Sequence, residues 1–537
     1  MHPSNRWNGL RFILLLCLNL GLSGGGEYNA VAAQTPVLNS SNPAPVITHI
    51  APGYVILLSG AQDISITGAS FLPTITALFA GQSHPVIYAG PNHLVIPLTA
   101  SDLRNQGIQV ITITNPAPGG GSATVNLPVL PVPDGMLARS QLATGDQSRL
   151  ERLIQKGRSG LPVTMAAIGG SVTVGGGASQ WTHSYPFVFR TWWQTTFPSS
   201  PVTMINAGVG GTQSDYGALR IQRDVLSHKP DLVIVEYAVN DRGGGRKEYG
   251  ETFEGVVRQV LNAENHPAVI LLFMMKYTLP IQESTDTAEP WQAAIGDHYA
   301  LPMVSYYDAI APELLNGTLT ESEITPDGTH PTDVGHAYAA LFLATALQQT
   351  MKIFPPQSSP DQIPPTARPL YSDKFEFTTL VDGTGDLGAP LNPTTNVGWT
   401  VEPASLTSSI GNYVPSGLQS STPGSTLDFT VLGQDILIGF WMIKGPMGEV
   451  RATVDGNPVP GILEGWYSAG WGGFRGERRV GAGFSPGLHQ VHLELLSSHA
   501  AGSTGTAFRI LSVGSAGIET GKNPLRFAPD PFPATIP

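Results

Sequence analysis

Cysteine is almost missing from this chain: there is one in 537 residues, Cys17. An internal disulfide framework and any CxxC-type metal site are excluded with it. Charge is also scarce, at 13%, with 28 Lys and Arg against 40 Asp and Glu and a formal net charge of −12. No block of basic residues occurs, so neither nucleic acid nor an anionic membrane is expected as a partner. The longest apolar run, Phe12 to Leu22, falls short of the ~20 residues that a membrane-spanning helix needs. The 13 histidines include no His-x-x-x-His pair, and no Asp-rich calcium loop is present, so no metal or other cofactor is expected. Glycine (62) and proline (46) are abundant beside 41% hydrophobic residues. That mixture disfavours disorder, has no collagen period, and suits short strands and turns. The length calls for two to four domains at about 100–200 residues each.

At the amino terminus Arg6 and Arg11 precede the apolar run, and Ala30-Val31-Ala32-Ala33 follows it. This reads as a signal peptide over residues 1–33, cleaved after Ala32 or Ala33. The mature chain is then expected in the periplasm or the medium, without cysteine and without an integral membrane segment.

Residues 43–131 read as strand, turn, strand: Val46 to Ile50, Asp63 to Gly68, Thr76 to Phe79, His93 to Ile96 and Val110 to Thr114. Between positions 43 and 130 the only charged side chains are Asp63, Asp102 and Arg104. A β-sandwich fits. From 137 to 353 the period changes to short apolar strands alternating with helical patterns, and here the charged residues concentrate. Strands are read at Val163 to Ile168, Val202 to Asn206, Leu232 to Tyr237, Val269 to Met274 and Met303 to Tyr306. Such alternation implies a doubly wound, flavodoxin-like parallel sheet whose ligands gather at the carboxyl ends of the strands. A Pro-rich linker over 354–370 leads to a second strand-rich region, 371–515, read as a β-sandwich or jelly roll, with a tail at 516–537.

Four segments of the α/β region each follow a strand. Ile168-Gly169-Gly170-Ser171 places a serine at a turn whose backbone amides are available to negative charge. It cannot be a phosphate loop, since no Lys-Ser or Lys-Thr closes it. Asn206-Ala207-Gly208-Val209-Gly210-Gly211-Thr212 brings flexible backbone, and Val235-Glu236-Tyr237-Ala238-Val239-Asn240-Asp241 brings a side-chain amide. Each is also what a plain turn looks like. Thr325-Pro326-Asp327-Gly328-Thr329-His330-Pro331 sets a carboxylate three residues before a histidine, so that Asp327 can bond one imidazole nitrogen while the other faces a nucleophile. Among the neighbouring residues, Asp333 reads as the cap of the following helix, His336 as packing, Asp241 as a turn residue or one that supports the site residues from behind, and Glu236 as a satisfied strand carboxylate.

Taken together, in this order, the segments resemble the SGNH/GDSL hydrolase superfamily over about residues 160–350, in a branch where Gly-Gly-Ser replaces Gly-Asp-Ser. A second departure is Ala238, where the family pattern has glycine. The resemblance implies a serine ester hydrolase with Ser171 as nucleophile, His330 as base and Asp327 as its partner. The Ser171 and Gly211 amides and the Asn240 side chain would form the oxyanion hole. Residues 43–131 resemble the immunoglobulin-like IPT/TIG family, through Pro45 to Pro52, Ile66 to Phe71 and Thr114 to Ser122, which implies a spacer or binding module without chemistry.

Trp466, Tyr467, Trp471 and Phe474 lie in the Gly-rich loop Gly465 to Gly476, where they either pack in the core or, as possible substrate-binding residues, stack on sugar rings or line the esterase cleft. SGNH esterases with an attached jelly roll resemble carbohydrate esterases, so the expected substrate is an acylated, chiefly acetylated, polysaccharide or a small ester. A lipase or general carboxylesterase, an acyl transferase to a glycan with the same triad, and a non-catalytic adhesion protein are the alternatives.

Overall fold

The computed structural model describes residues 41–57, 59–241, 246–277, 288–354, 366–383, 391–406, 413–470 and 472–519. The expected signal peptide, most of the Pro-rich linker, most of the tail and Trp471 lie outside the described residues. The chain is multidomain, with an α/β centre between two β-rich regions.

The central sheet runs, in space, Gln141–Ala143, Met303–Ser305, Ala268–Phe273, Leu232–Glu236, Val163–Gly169, Val202–Gly208. Its five parallel strands, numbered along the chain, stand in the order 2-1-3-4-5, with the antiparallel edge strand Gln141–Ala143 unforeseen in the sequence. This is the flavodoxin-like order, whose switch point lies beside the first strand. Strands Leu232–Glu236 and Ala268–Phe273 are buried at every position. Continuous Val, Ile and Leu runs do this because helices cover both faces.

The first β-rich region packs two sheets, of four and five strands. Ile64, Ile66, Leu94, Ile96, Ile111 and Ile113 alternate inward and are fully buried. It also shares a core with the α/β domain: Leu130 is buried in the cluster that contains Tyr185 and Phe189, and Tyr54 and Ile56 pack against that cluster.

The second β-rich region consists mainly of two six-stranded sheets. Strand Phe508–Ala516 sits inside one of them and is buried at all nine positions. One face meets the sandwich core, and the other lies on the α/β domain, where Gly514 leaves room for Leu219 and Ala516 joins the cluster of Phe253, Val257 and Phe375. Ion pairs rim this contact: Arg479 with Glu251 at 2.8 Å and Arg258 with Glu376 at 2.7 Å.

Candidate active site

Ser171 opens the short helix Ser171–Val174 directly after the first parallel strand, with Gly170 as its N-cap. Ligands gather at the carboxyl ends of parallel strands, and the amino end of a helix favours negative charge there. The helix is held from below, since Asn206 Nδ2 donates to the Thr173 carbonyl at 2.7 Å. Thr173 Oγ1 lies 2.9 Å from the Tyr185 hydroxyl and donates to Glu236 at 3.4 Å.

The Asp327 loop is built by its own carboxylate. Oδ1 accepts the backbone N–H of Thr329 at 2.8 Å and of His330 at 2.7 Å, while Gly328 takes φ +73°. Desolvation pushes the Asp327 carboxyl upward, but those donors and the imidazole outweigh it and hold it below the usual carboxylate range. Its Oδ2 lies 2.7 Å from His330 Nδ1, and His330 Nε2 lies 2.9 Å from Ser171 Oγ. With Asp327 ionised, Nδ1 carries the proton and Nε2 is left to accept one. The three residues, up to 159 positions apart, form one hydrogen-bonded line.

The remaining sequence candidates fall around this line. The turn Val209–Gly211 flanks it: Val209 N–H donates to the Gly169 carbonyl at 3.0 Å, and a Cβ built on Gly210 would lie 3.8 Å from Ser171 Cβ. Gly211 itself has φ +74°, a conformation that side chains disfavour. Asn240 packs its carboxamide oxygen, which has no hydrogen-bond partner, against Gly170. Its nitrogen lies farther from Gly170 than its oxygen does. Phe474, from the second β-rich region, stands over Gly211, 3.0 Å from where a Cβ there would be. Tyr467 meets the Phe474 ring edge-on at 4.7 Å. Trp466 lies apart from this pair and packs on Val414, Trp441, Met447 and Leu511.

One of the neighbouring readings needs correction. Thr332 caps the helix Asp333–Ile353, its hydroxyl accepting from Gly335 N–H, so Asp333 is not the cap. Glu236 ends its strand fully buried beside the Ser171 turn, as the satisfied carboxylate expected, accepting from Thr173 Oγ1 and Val239 N–H at 3.4 and 3.5 Å and from Gly170 N–H. Burial nonetheless pushes its carboxyl up to about 7. Asp241 is also buried and raised well above its ordinary value by desolvation, and accepts from Ser214 N–H and Gln292, each at 2.9 Å. His336 is lowered to about 4 by burial and is neutral; it accepts from Tyr185 N–H and donates to the Gly176 carbonyl. Among the described residues no group of three His, Cys, Asp or Glu could hold a metal ion, and no helix is long and apolar enough to cross a membrane.

A flavodoxin-like sheet with a serine, a histidine and an aspartate in line at its carboxyl edge defines the class of ester hydrolases with a serine nucleophile. Residues 167–338 match the model of the GDSL-like Lipase/Acylhydrolase family. The chain contains that domain and is an ester-hydrolysing enzyme. It is also similar to two solved structures of a two-domain esterase active on acetylated mannans. One is co-crystallized with mannopentaose. Each is 26% identical, with 71% of this chain and 98% of the other covered, at TM-scores of 0.59 and 0.61. No curated protein matches in sequence.

Proposed function

We propose that the protein is an exported esterase that removes acetyl groups from a polysaccharide, through Ser171, His330 and Asp327. The observation that carries the catalytic part is the hydrogen-bonded line from Asp327 through His330 to Ser171, at 2.7 and 2.9 Å. A serine hydroxyl is a poor nucleophile at neutral pH, so His330 Nε2 takes its proton as Oγ attacks the ester carbonyl. Asp327 keeps the imidazole in the productive tautomer and stabilises the imidazolium. The Ser171 and Gly211 amides and Asn240 Nδ2 receive the oxyanion, each donor contributing on the order of 3 kcal/mol. His330 then returns the proton to the leaving alcohol and activates a water that releases the acid.

The substrate class draws support from the esterases of acetylated mannans to which the chain is similar, and from Phe474 and Tyr467 beside Gly211. Aromatic faces suit sugar rings, and a wall over the oxyanion glycine suits a short acyl group. Export is inferred from Arg6, Arg11 and the apolar run ahead of Ala30 to Ala33. We keep the division into 43–131, 137–353 and 371–515 as three domains.

The test is acetate release from acetylated mannan, acetylated xylan, acetylated pectin and aryl acetates, with wild type beside Ser171→Ala. Release that depends on Ser171, with an acetylated polysaccharide among the substrates, is the expected result. Wild-type activity confined to long-chain esters would overturn the substrate class, and an active Ser171→Ala the mechanism.

A further inference from the structure

The Asp333 carboxylate, freed from capping, is 4% exposed and accepts four hydrogen bonds. Oδ1 takes the Ser179 N–H at 2.8 Å, and Oδ2 takes the Ser179 hydroxyl at 2.6 Å, His183 Nδ1 at 2.9 Å and Asn126 Nδ2 at 2.9 Å. The first three come from the loop between helices Ser171–Val174 and Tyr185–Thr196. The fourth comes from strand Gly121–Leu130 of the first β-rich region. Desolvation opposes ionisation of Asp333, and the donors from His183, Ser179 and Asn126 more than offset it.

The same loop lies against the histidine. A Cβ on Gly176 would stand 2.7 Å from His330 Cδ2 and 3.4 Å from Nε2, and one on Gly177 would meet the Pro331 carbonyl. Only a hydrogen's thickness separates Gly176 from the imidazole, so a shift of the loop is passed to the ring. His336, donating to the Gly176 carbonyl at 3.1 Å, pins one point of the loop; Asp333 pins the next turn.

We propose, resting on the Ser171–His330 reading above, that Asn126 is a positioning residue. By donating to Asp333 from another domain, it fixes the Ser179 loop against the His330 ring and keeps Nε2 aimed at Ser171 Oγ. The β-rich region that resembles a spacer is in this way part of the esterase. The titratable groups around position 126 are Asp333 and His183, with His336 and His330 beyond them. His49 of the sandwich lies near Arg190 and His183.

Three variants of the full chain test this, with kinetics on an aryl acetate and hydrogen exchange of the 175–184 segment. Asn126→Ala is expected to lower kcat about three- to tenfold, with KM within about twofold, because misalignment costs chemistry rather than binding. The segment should exchange faster. Asn126→Asp sets a second carboxyl against Asp333; its loss relative to wild type should shrink from pH 8 to pH 5.5, as protonation of the new carboxyl restores a donor. Gln106→Ala removes a bond across the same interface, Gln106 Nε2 to Glu323 Oε1 at 3.4 Å, and should change neither readout. A kcat for Asn126→Ala indistinguishable from wild type, or an equal loss in Gln106→Ala, overturns the proposal. Wild type inactive on every ester would instead overturn the esterase reading, and unchanged exchange in Asn126→Ala would then still refute the clamp.

Discussion

The ring of Phe474 occupies the space that a side chain on Gly211 would need: the built Cβ would lie 3.0 Å from Phe474 Cβ and 3.2 Å from Cγ and Cδ2. The two residues belong to different domains and are 263 positions apart in the chain (474 − 211). The second β-rich region therefore forms one wall of the site.

Gly211→Ala meets both that contact and the φ of +74°, and is expected to lower kcat on the order of 10²-fold by displacing one oxyanion donor. Gly211→Ala combined with Phe474→Ala should recover part of the loss, since only the contact is relieved. Steady-state kinetics of the two variants check this.

Phe474→Ala alone removes the wall. The ratio of octanoate to acetate turnover with aryl esters should rise on the order of tenfold, the scale at which a hydrophobic pocket discriminates by size. An unchanged ratio across the acyl series would place the acyl group elsewhere.

Asp327→Asn keeps the loop's shape but loses the anion that fixes the imidazole tautomer. A fall in kcat of about 10³–10⁴-fold is expected, as in other serine triads. Because the Asp327 carboxyl is held below its usual range, it stays ionised as pH falls through that range.

Glu236 sets a pH dependence of stability. Its folded value of about 7 lies above the ordinary 4.5, so between those pH values the folded protein holds more protons than the unfolded chain. Its contribution is then full below pH ~4.5 and is lost as pH rises through ~7. Glu236→Gln, which stays neutral, should gain thermal stability relative to wild type as the pH is raised from 5 to 8. Glu289, also raised to about 7 by burial, adds a parallel decline that the substitution leaves in place.

The parallel strands were legible as short apolar runs between helical patterns, clearest in Leu232–Glu236 and Ala268–Phe273, which are buried throughout; each of the five lies within two residues of its expected ends. The Ser171, Asp327 and His330 line was legible because strand ends concentrate chemistry, and because Asp327 and His330 bond within one turn. Phe474 was legible as a residue that lines the cleft, but its place at the head of strand Phe474–Gly481 was not, because glycines on both sides of the aromatics hide the strand pattern. Strand Phe508–Ala516 was missed because burial on both faces, one by another domain, erases the alternation that marks a half-buried strand. Asn126 carried no signal at all. One asparagine in a strand gains its meaning from a carboxylate 207 positions away.

Strand Phe508–Ala516 also bears on how the protein is made. The α/β fold is complete in sequence by Ile353, yet the apolar surface around Leu219 is covered only when residues near Gly514 arrive. During synthesis that surface stays open while about 160 further residues are added, some 8–30 s at 5–20 residues per second. A nascent chain halted after the linker would carry Ser171, Asp327 and His330 on an adhesive, unclosed body that still lacks the Phe474 wall, so late translation and folding of the second sandwich set the window in which this esterase is vulnerable to aggregation.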